Sequence, residues 1–84
     1  MKYYVYILQC ADGTLYTGVT KDLQNRLDRH NSGHGARYTR GRLPVSLVYY
    51  EESGNIKSAM AREMQIRQLS RSDKRELIDK FGNN

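Results

Sequence analysis

Apolar, aromatic and β-branched residues fill positions 3–9, YYVYILQ, almost without interruption. Such a run predicts a strand. Asp12-Gly13 is a turn signal and positions 14–19 form a second strand, so the two should pair as a hairpin. Leu23 and Leu27 then recur at helical spacing. Thr20 is the expected cap of that helix, Asp22 lies in its first turn, and its end falls near residues 31–33. Residues 32–44, SGHGARYTRGRLP, hold three glycines and a proline and read as a loop long enough to suspect a function. Residues 45–50, VSLVYY, are a third strand and 51–55 a turn. Residues 56–69 and 72–81 read as helices, the second started by Ser72 and stopped by Gly82. Asn83 and Asn84 should fray. The order ββαβαα predicts an α/β (α+β) fold: a small three-stranded, mainly antiparallel sheet flanked by three helices. At 84 residues the chain is one domain, with its core in about 2–81.

The register of the hairpin decides what the strands present. A two-residue Asp-Gly loop would pair Ala11 with Thr14 and send Tyr6 and Tyr16 to opposite faces. A three-residue loop would pair Cys10 with Thr14 and put Gly13 in the left-handed region. Tyr6 would then face Gly18, and the two tyrosines would be diagonal neighbours about 7–8 Å apart on one face. The second register is the expectation, with Gly18 leaving room above Tyr6.

Charge adds a second theme. Lys and Arg number 14 against 9 acids, a net charge of +5, and nine of the 14 are arginine. Between Arg26 and Arg42 stand five arginines and one acid, Asp28. Such a field attracts polyanions, although a basic solvated surface is the plainer reading. No apolar run approaches the roughly 20 residues of a membrane span. The first residues lack the apolar core of a signal peptide, and the one cysteine, Cys10, has no internal partner. A reducing, cytoplasmic setting is the expectation.

Several residues sit where packing does not want them. On the helix over 56–69, Ile56, Ala59, Met60, Met64 and Ile66 form one apolar arc, and Glu63 falls near its middle with Arg67 beside it. A buried carboxylate costs several kcal/mol unless it is paired or holds a cation. A Glu63–Arg67 pair at i, i+4 is the ordinary explanation, but such pairs normally occupy the polar face. On the first helix, Arg26 and His30 lie beside the Leu23/Leu27 stripe. A histidine there is more often a satisfied core residue than a catalyst, and an arginine more often covers apolar surface with its stem. Cys10, His30 and His34 lack zinc spacing, and no phosphate-binding glycine loop or Gly-x-Ser-x-Gly elbow is present. Cys10 reads as a buried thiol. Tyr49 and Tyr50 read as one inward and one outward residue. Tyr38 could stack on a base or anchor the loop.

Taken in order, Tyr4-Val5-Tyr6, Tyr16-Thr17-Gly18, Arg26 in KDLQNRL, His30 in RLDRHN and Glu63 in SAMAREMQ resemble the signature of the GIY-YIG nuclease superfamily. The resemblance spans roughly residues 2–77 and is closest to short, stand-alone bacterial members, in which a stretch like HNSGHGARYTRGRLPVSLVYYE recurs. Tyr4 stands where the name has glycine, and Thr17 where it has isoleucine. The added DNA-recognition domain of many family nucleases is absent from this sequence. The resemblance implies metal-dependent hydrolysis of DNA phosphodiesters, structure-directed or weakly sequence-specific, of the kind used in repair or recombination. It implies a divalent ion on Glu63, most simply Mg²⁺ with Mn²⁺ as the substitute, stabilising the leaving 3′ oxygen. Arg26 would bind the scissile phosphate with its planar fork. Tyr6 would orient and deprotonate the attacking water, with Tyr16 able to share that role and His30 to relay the proton. A free tyrosine has a pKa near ~10, so nearby positive charge from Arg26 or His30 would have to lower it. Gly18, Arg29, Arg37, Tyr38, Arg40 and Arg42 would line the substrate path and grip flanking phosphates. The partner is then DNA, with RNA open to the same chemistry. The alternatives are a non-catalytic nucleic-acid-binding module and a domain active only with a protein partner, as monomer or homodimer.

Overall fold

The computed structural model describes residues 2–82. Asn83 and Asn84 lie outside the described residues. Strand β1 (Tyr3–Gln9) is central, with β2 (Leu15–Thr20) on one side and β3 (Ser46–Ser53) on the other, both antiparallel to it. Helix α1 (Leu23–Asn31) follows β2, and α3 (Ile56–Gln68) and α4 (Arg71–Gly82) follow β3. The expected ββαβαα order and antiparallel sheet are present. Within the loop over 32–44, Arg37–Arg40 forms a short helix, α2, that the glycine-rich composition did not suggest. It is too short to stand on propensity, and Thr39 fastens it, bonding His30 of α1 and donating to the Ala36 carbonyl at the helix's own start.

The central strand is buried on both faces, which is why its apolar run is continuous rather than alternating. One face packs Val5, Ile7 and Tyr49 against Ala59 and Ile66 of α3, with Leu77 and Ile78 of α4 behind them. The other packs Tyr6, Leu8 and Cys10 with Val45, and Leu23 and Leu27 of α1 close over it. A bulge in β3 between the partners of Ile7 and Leu8 shifts the alternation there. Tyr49 is buried and Tyr50 exposed, as expected of neighbouring strand residues. Among the described residues, no helix is long and apolar enough to cross a membrane.

The hairpin has the three-residue register. Cys10 N–H donates to the Thr14 carbonyl at 2.8 Å, Gly13 has φ +84°, and Tyr6 pairs with Gly18 while Leu8 pairs with Tyr16. Several boundaries differ from the sequence reading. Asp22, not Thr20, caps α1, its side chain accepting from Asn25 N–H at 3.0 Å. Thr20 stays in β2 and its hydroxyl receives the Asp22 N–H. Ser70, not Ser72, receives the Asp73 N–H at the start of α4. The turn expected over 51–55 begins later, because Glu51 and Glu52 belong to β3. Cross-strand pairing and two ion pairs, Glu51 with Arg62 and Glu52 with Lys2, override the turn tendency of that stretch.

Helix α3 is rolled relative to its apolar arc. Ala59 and Ile66 are buried, but Ile56, Met60 and Met64 are 43%, 58% and 59% exposed. Small Ala59 lets the helix lie close to the sheet, and Arg62 reaches Glu51 in a two-nitrogen contact at 2.8–3.1 Å that pins this rotation. Glu63 lies between Ala59 and Ile66 on the same side, and its side chain is only 14% exposed. Arg67, placed on the arc by periodicity, extends instead into solvent.

Candidate active site

The site grows from the β1–β2 pairing. The Tyr6 ring lies directly over Gly18: a Cβ there would come within 2.5 Å of the Tyr6 oxygen and 2.7 Å of its ring. Only glycine permits this approach. Tyr16, on the same face, has its ring centroid 6.4 Å from that of Tyr6. His30, in the last turn of α1, inserts against both, 6.3 Å from the Tyr6 ring and 5.3 Å from the Tyr16 ring. Its Nε2 is 3.3 Å from the Tyr6 hydroxyl, and its Nδ1 is 2.8 Å from Thr39 Oγ1 of α2. His30 is therefore both things the sequence set against each other: a satisfied buried residue, 1% exposed, and a hydrogen-bond partner of the candidate base.

Arg26 is half-buried one turn before His30, and its guanidinium makes no hydrogen bond or ion pair among the described residues. Glu63 approaches from α3 on the other layer. The charges of Arg26 and Glu63 are both felt at Tyr6. The net lowering of the Tyr6 pKa expected from Arg26 or His30 is not found. Burial raises it well above the ordinary tyrosine value, and Tyr16 and Glu63 add to the rise, which the opposing effect of Arg26 does not offset. His30 moves down, because burial and then the neighbouring Arg26 disfavour its charged form. The resting site thus holds a neutral phenol beside a neutral imidazole.

Glu63 is paired with Arg67, the ordinary explanation for its position, although Arg67 is 65% exposed and Glu63 is not. Beside this pair opens a cavity of about 300 Å³ lined by Leu15, Tyr16, Thr17, Tyr38, Arg67 and Lys74. Tyr38 stacks on Tyr16 at 6.0 Å, and the Arg42 guanidinium covers its ring at 4.2 Å. Arg42 also donates to Asp12 and to the Tyr38 carbonyl. Both residues thus tie α2 to the hairpin turn. Arg29, Arg37 and Arg40 are exposed with free guanidinium groups among the described residues.

Three residues in or beside this site escaped the sequence reading. Thr39 is fully buried against His30. Gly35 lies so close to the His30 ring that a Cβ would fall 2.4 Å from Nδ1. Lys74 reaches the cavity from α4. No spacing rule links Thr39 or Gly35 to His30. Only the fold of the loop over α1 brings them there.

Comparison with known proteins bears on the family and the fold. The model of the GIY-YIG catalytic domain family matches residues 2–76. A UPF0213 protein of Pediococcus pentosaceus is 49% identical over 80 residues, covering 95% of this chain and 84% of that protein. Another, from Halobacterium salinarum, is 51% identical over 76 residues, covering 90% of this chain and 99% of that protein. The solution NMR structure of a UPF0213 protein from Bacillus halodurans superposes with a TM-score of 0.61 at 46% identity, covering 94% of this chain and 84% of that one. That of an E. faecalis protein gives 0.65 at 34% identity, covering 100% of this chain and 90% of that one. The fold is of nuclease type, and the family generally denotes endonucleases. With the family model matched over nearly the whole chain and short relatives aligned almost end to end, this chain belongs to the GIY-YIG catalytic domain family.

Proposed function

We propose that this domain is a metal-dependent DNA endonuclease that recognises nucleic-acid shape more than sequence and acts in repair or recombination in the cytoplasm. What carries the reading is Glu63. A carboxylate held 14% exposed on the sheet side of α3 cancels the charge of its partner Arg67 on a surface that Arg26 and Lys74 make positive, a loss to phosphate binding that a bound divalent cation would reverse. A module that only bound nucleic acid would do better without it.

Glu63 is the residue that would hold the ion. Among the described residues no three His, Cys, Asp or Glu side chains gather. A single carboxylate suits Mg²⁺ or Mn²⁺, which keep waters and share phosphate oxygens, and does not suit zinc. When bound, the ion supplies charge neutralisation at the leaving oxygen and offsets the field of Glu63 at Tyr6. Arg26, unpaired and half-buried, binds the scissile phosphate through its fork. Tyr6 orients the attacking water through its hydroxyl, and His30 takes up the proton that Tyr6 passes on. Tyr16 packs against both rings and keeps them in place. Arg29, Arg37 and Arg40, joined by Lys74, contact flanking phosphates. Arg42 and Tyr38 shape the loop that carries two of these arginines. Shape preference, and any partner protein or dimerisation needed for paired cuts, lies outside this small domain's own contacts.

The test is cleavage of duplex, single-stranded, flapped and four-way-junction DNA, and of the matching RNA, with Mg²⁺, Mn²⁺ or EDTA. Glu63→Gln is run alongside. Metal-dependent cutting lost in Glu63→Gln with binding retained is expected. Binding that is equal or tighter in Glu63→Gln, with no cutting by either protein on any substrate, would reduce the domain to a binding module.

A further inference from the structure

The loop over α1 delivers one residue that no signature motif contains. Thr39 is 0% exposed, and its Oγ1 makes two contacts at once: 2.8 Å to His30 Nδ1 and 2.9 Å to the Ala36 carbonyl. A carbonyl cannot donate, so the proton in the second contact is the hydroxyl proton of Thr39. Oγ1 then offers Nδ1 only lone pairs, and the proton in the first contact must sit on Nδ1. Nε2 of the neutral ring is left as an acceptor, 3.3 Å from the Tyr6 hydroxyl. This is the arrangement of the neutral ring that puts one proton in each of the three contacts. The opposite tautomer leaves Thr39 Oγ1 and the Ala36 oxygen facing each other without a proton and takes the Tyr6 proton out of the chain.

We infer that Thr39 is a positioning residue that fixes His30 as the Nδ1–H tautomer, so that Nε2 is the proton acceptor for Tyr6. Gly35 completes the device. Its lack of a side chain lets the backbone lie against the imidazole, which cannot rotate away from Thr39. The groups facing His30 from the packed elements are Tyr6 on β1, Tyr16 on β2 and Arg26 on α1. Of these only Tyr6 is hydrogen-bonded to the ring, and it lies at Nε2, so Thr39 is the partner at Nδ1. As water attacks phosphorus, a water O–H bond breaks and its proton goes to the Tyr6 oxygen. The Tyr6 proton goes to Nε2, the new O–P bond forms, and the leaving oxygen departs with the electron pair of the old one. His30 becomes imidazolium and returns its proton to solvent or to the leaving oxygen. The consequence for catalysis rests on the nuclease reading. The tautomer does not.

The experiment is a long-range ¹H–¹⁵N NMR spectrum of the His30 ring near neutral pH in the wild type, Thr39→Ser and Thr39→Val, with cleavage measured on the same samples. A pyrrole-type Nδ1 and pyridine-type Nε2 are expected in the wild type and Thr39→Ser. In Thr39→Val, which removes the hydroxyl at nearly constant volume, a mixed or inverted tautomer is expected. Its kcat should fall about tenfold to a hundredfold with KM little changed, and Thr39→Ser should restore it. A wild-type ring with the proton on Nε2 overturns the inference. So does a folded Thr39→Val that keeps the Nδ1–H tautomer and full activity. Should Thr39→Val not fold, the wild-type and serine spectra decide alone. Absence of cleavage in every protein counts against the nuclease reading and leaves the tautomer result to stand or fall by its own spectrum.

Discussion

The two faces of the sheet are built on opposite principles. On the α3/α4 face, Val5, Ile7, Ala59 and Ile66 meet in a mainly apolar set, with Thr17 opposite Ile7 and the Tyr49 hydroxyl as its buried polar groups. On the α1/α2 face, Tyr6 and Leu8 share their layer with His30 and Thr39, both at or below 1% exposure and both hydrogen-bonded. No buried side-chain nitrogen or oxygen among the described residues lacks a partner. The first face therefore derives its stability from burial and shape. The second accepts polar groups only because each is satisfied, and so its geometry is specified by directional bonds. Stability and chemistry are largely separated across one layer of strands, and Glu63, on the apolar side, is the charge that reaches across.

Mutations on the two faces should therefore differ in kind. Tyr6→Phe removes one oxygen from the polar face. Cleavage should drop about 10²- to 10⁴-fold, with stability changed by only ~1 kcal/mol, measured by single-turnover kinetics beside urea unfolding. Comparable losses in both readouts would erase the separation. Ile66→Ala attacks the other face and should lower unfolding free energy by about 2–5 kcal/mol. The His30 ring spectrum should not move, and an altered tautomer there would mean that the faces are coupled. Gly18→Ala lies at the seam. The added methyl meets the Tyr6 oxygen at 2.5 Å, so a loss of about 1–3 kcal/mol is expected together with reduced cleavage.

Smaller effects sharpen the picture. Arg67→Ala removes the cation that holds Glu63, and Mn²⁺ affinity read by electron paramagnetic resonance should rise up to about fivefold. Unchanged or weaker binding would show that Arg67 does not compete at the carboxylate. The pH dependence of stability tests the polar face directly. His30 has a folded-state pKa below its ordinary value, because burial and Arg26 oppose its charge. The unfolded chain therefore binds the proton first as pH falls, and stability should decline as pH drops through about 6.5. Folding free energies of wild type and His30→Gln between about pH 7.5 and 5.5 should show a shallower slope in the variant.

The apolar run of β1, the Asp12-Gly13 turn and the helical recurrence of Leu23 and Leu27 are local, so they are legible in the residues themselves. The register that stacks Tyr6 over Gly18 is less so: the residues allow two loop lengths, and only the room that Gly18 leaves above Tyr6 points to the longer one. The ordered set of Tyr6, Tyr16, Arg26, His30 and Glu63 could be read as a family pattern because each sits on an element with its own signal. Met60 and Met64 were placed on the buried face of α3 because periodicity sees only polarity. It cannot see that an Arg62–Glu51 contact and the small size of Ala59 set the rotation of the helix.

What the sequence determined by itself was the three strands and three long helices, the central hairpin and the inventory of chemical groups, since these follow from nearest-neighbour sterics and from repeats of 2 and 3.6 residues. The tertiary structure alone decided the environment of each group. It set burial, which raises the Tyr6 pKa against a neighbouring arginine, and it fixed the roll of α3. It also folded a glycine-rich loop back over α1, placing Thr39 against a histidine nine residues earlier. Desolvation and hydrogen-bond direction depend on what surrounds an atom in space, and no spacing along the chain encodes that.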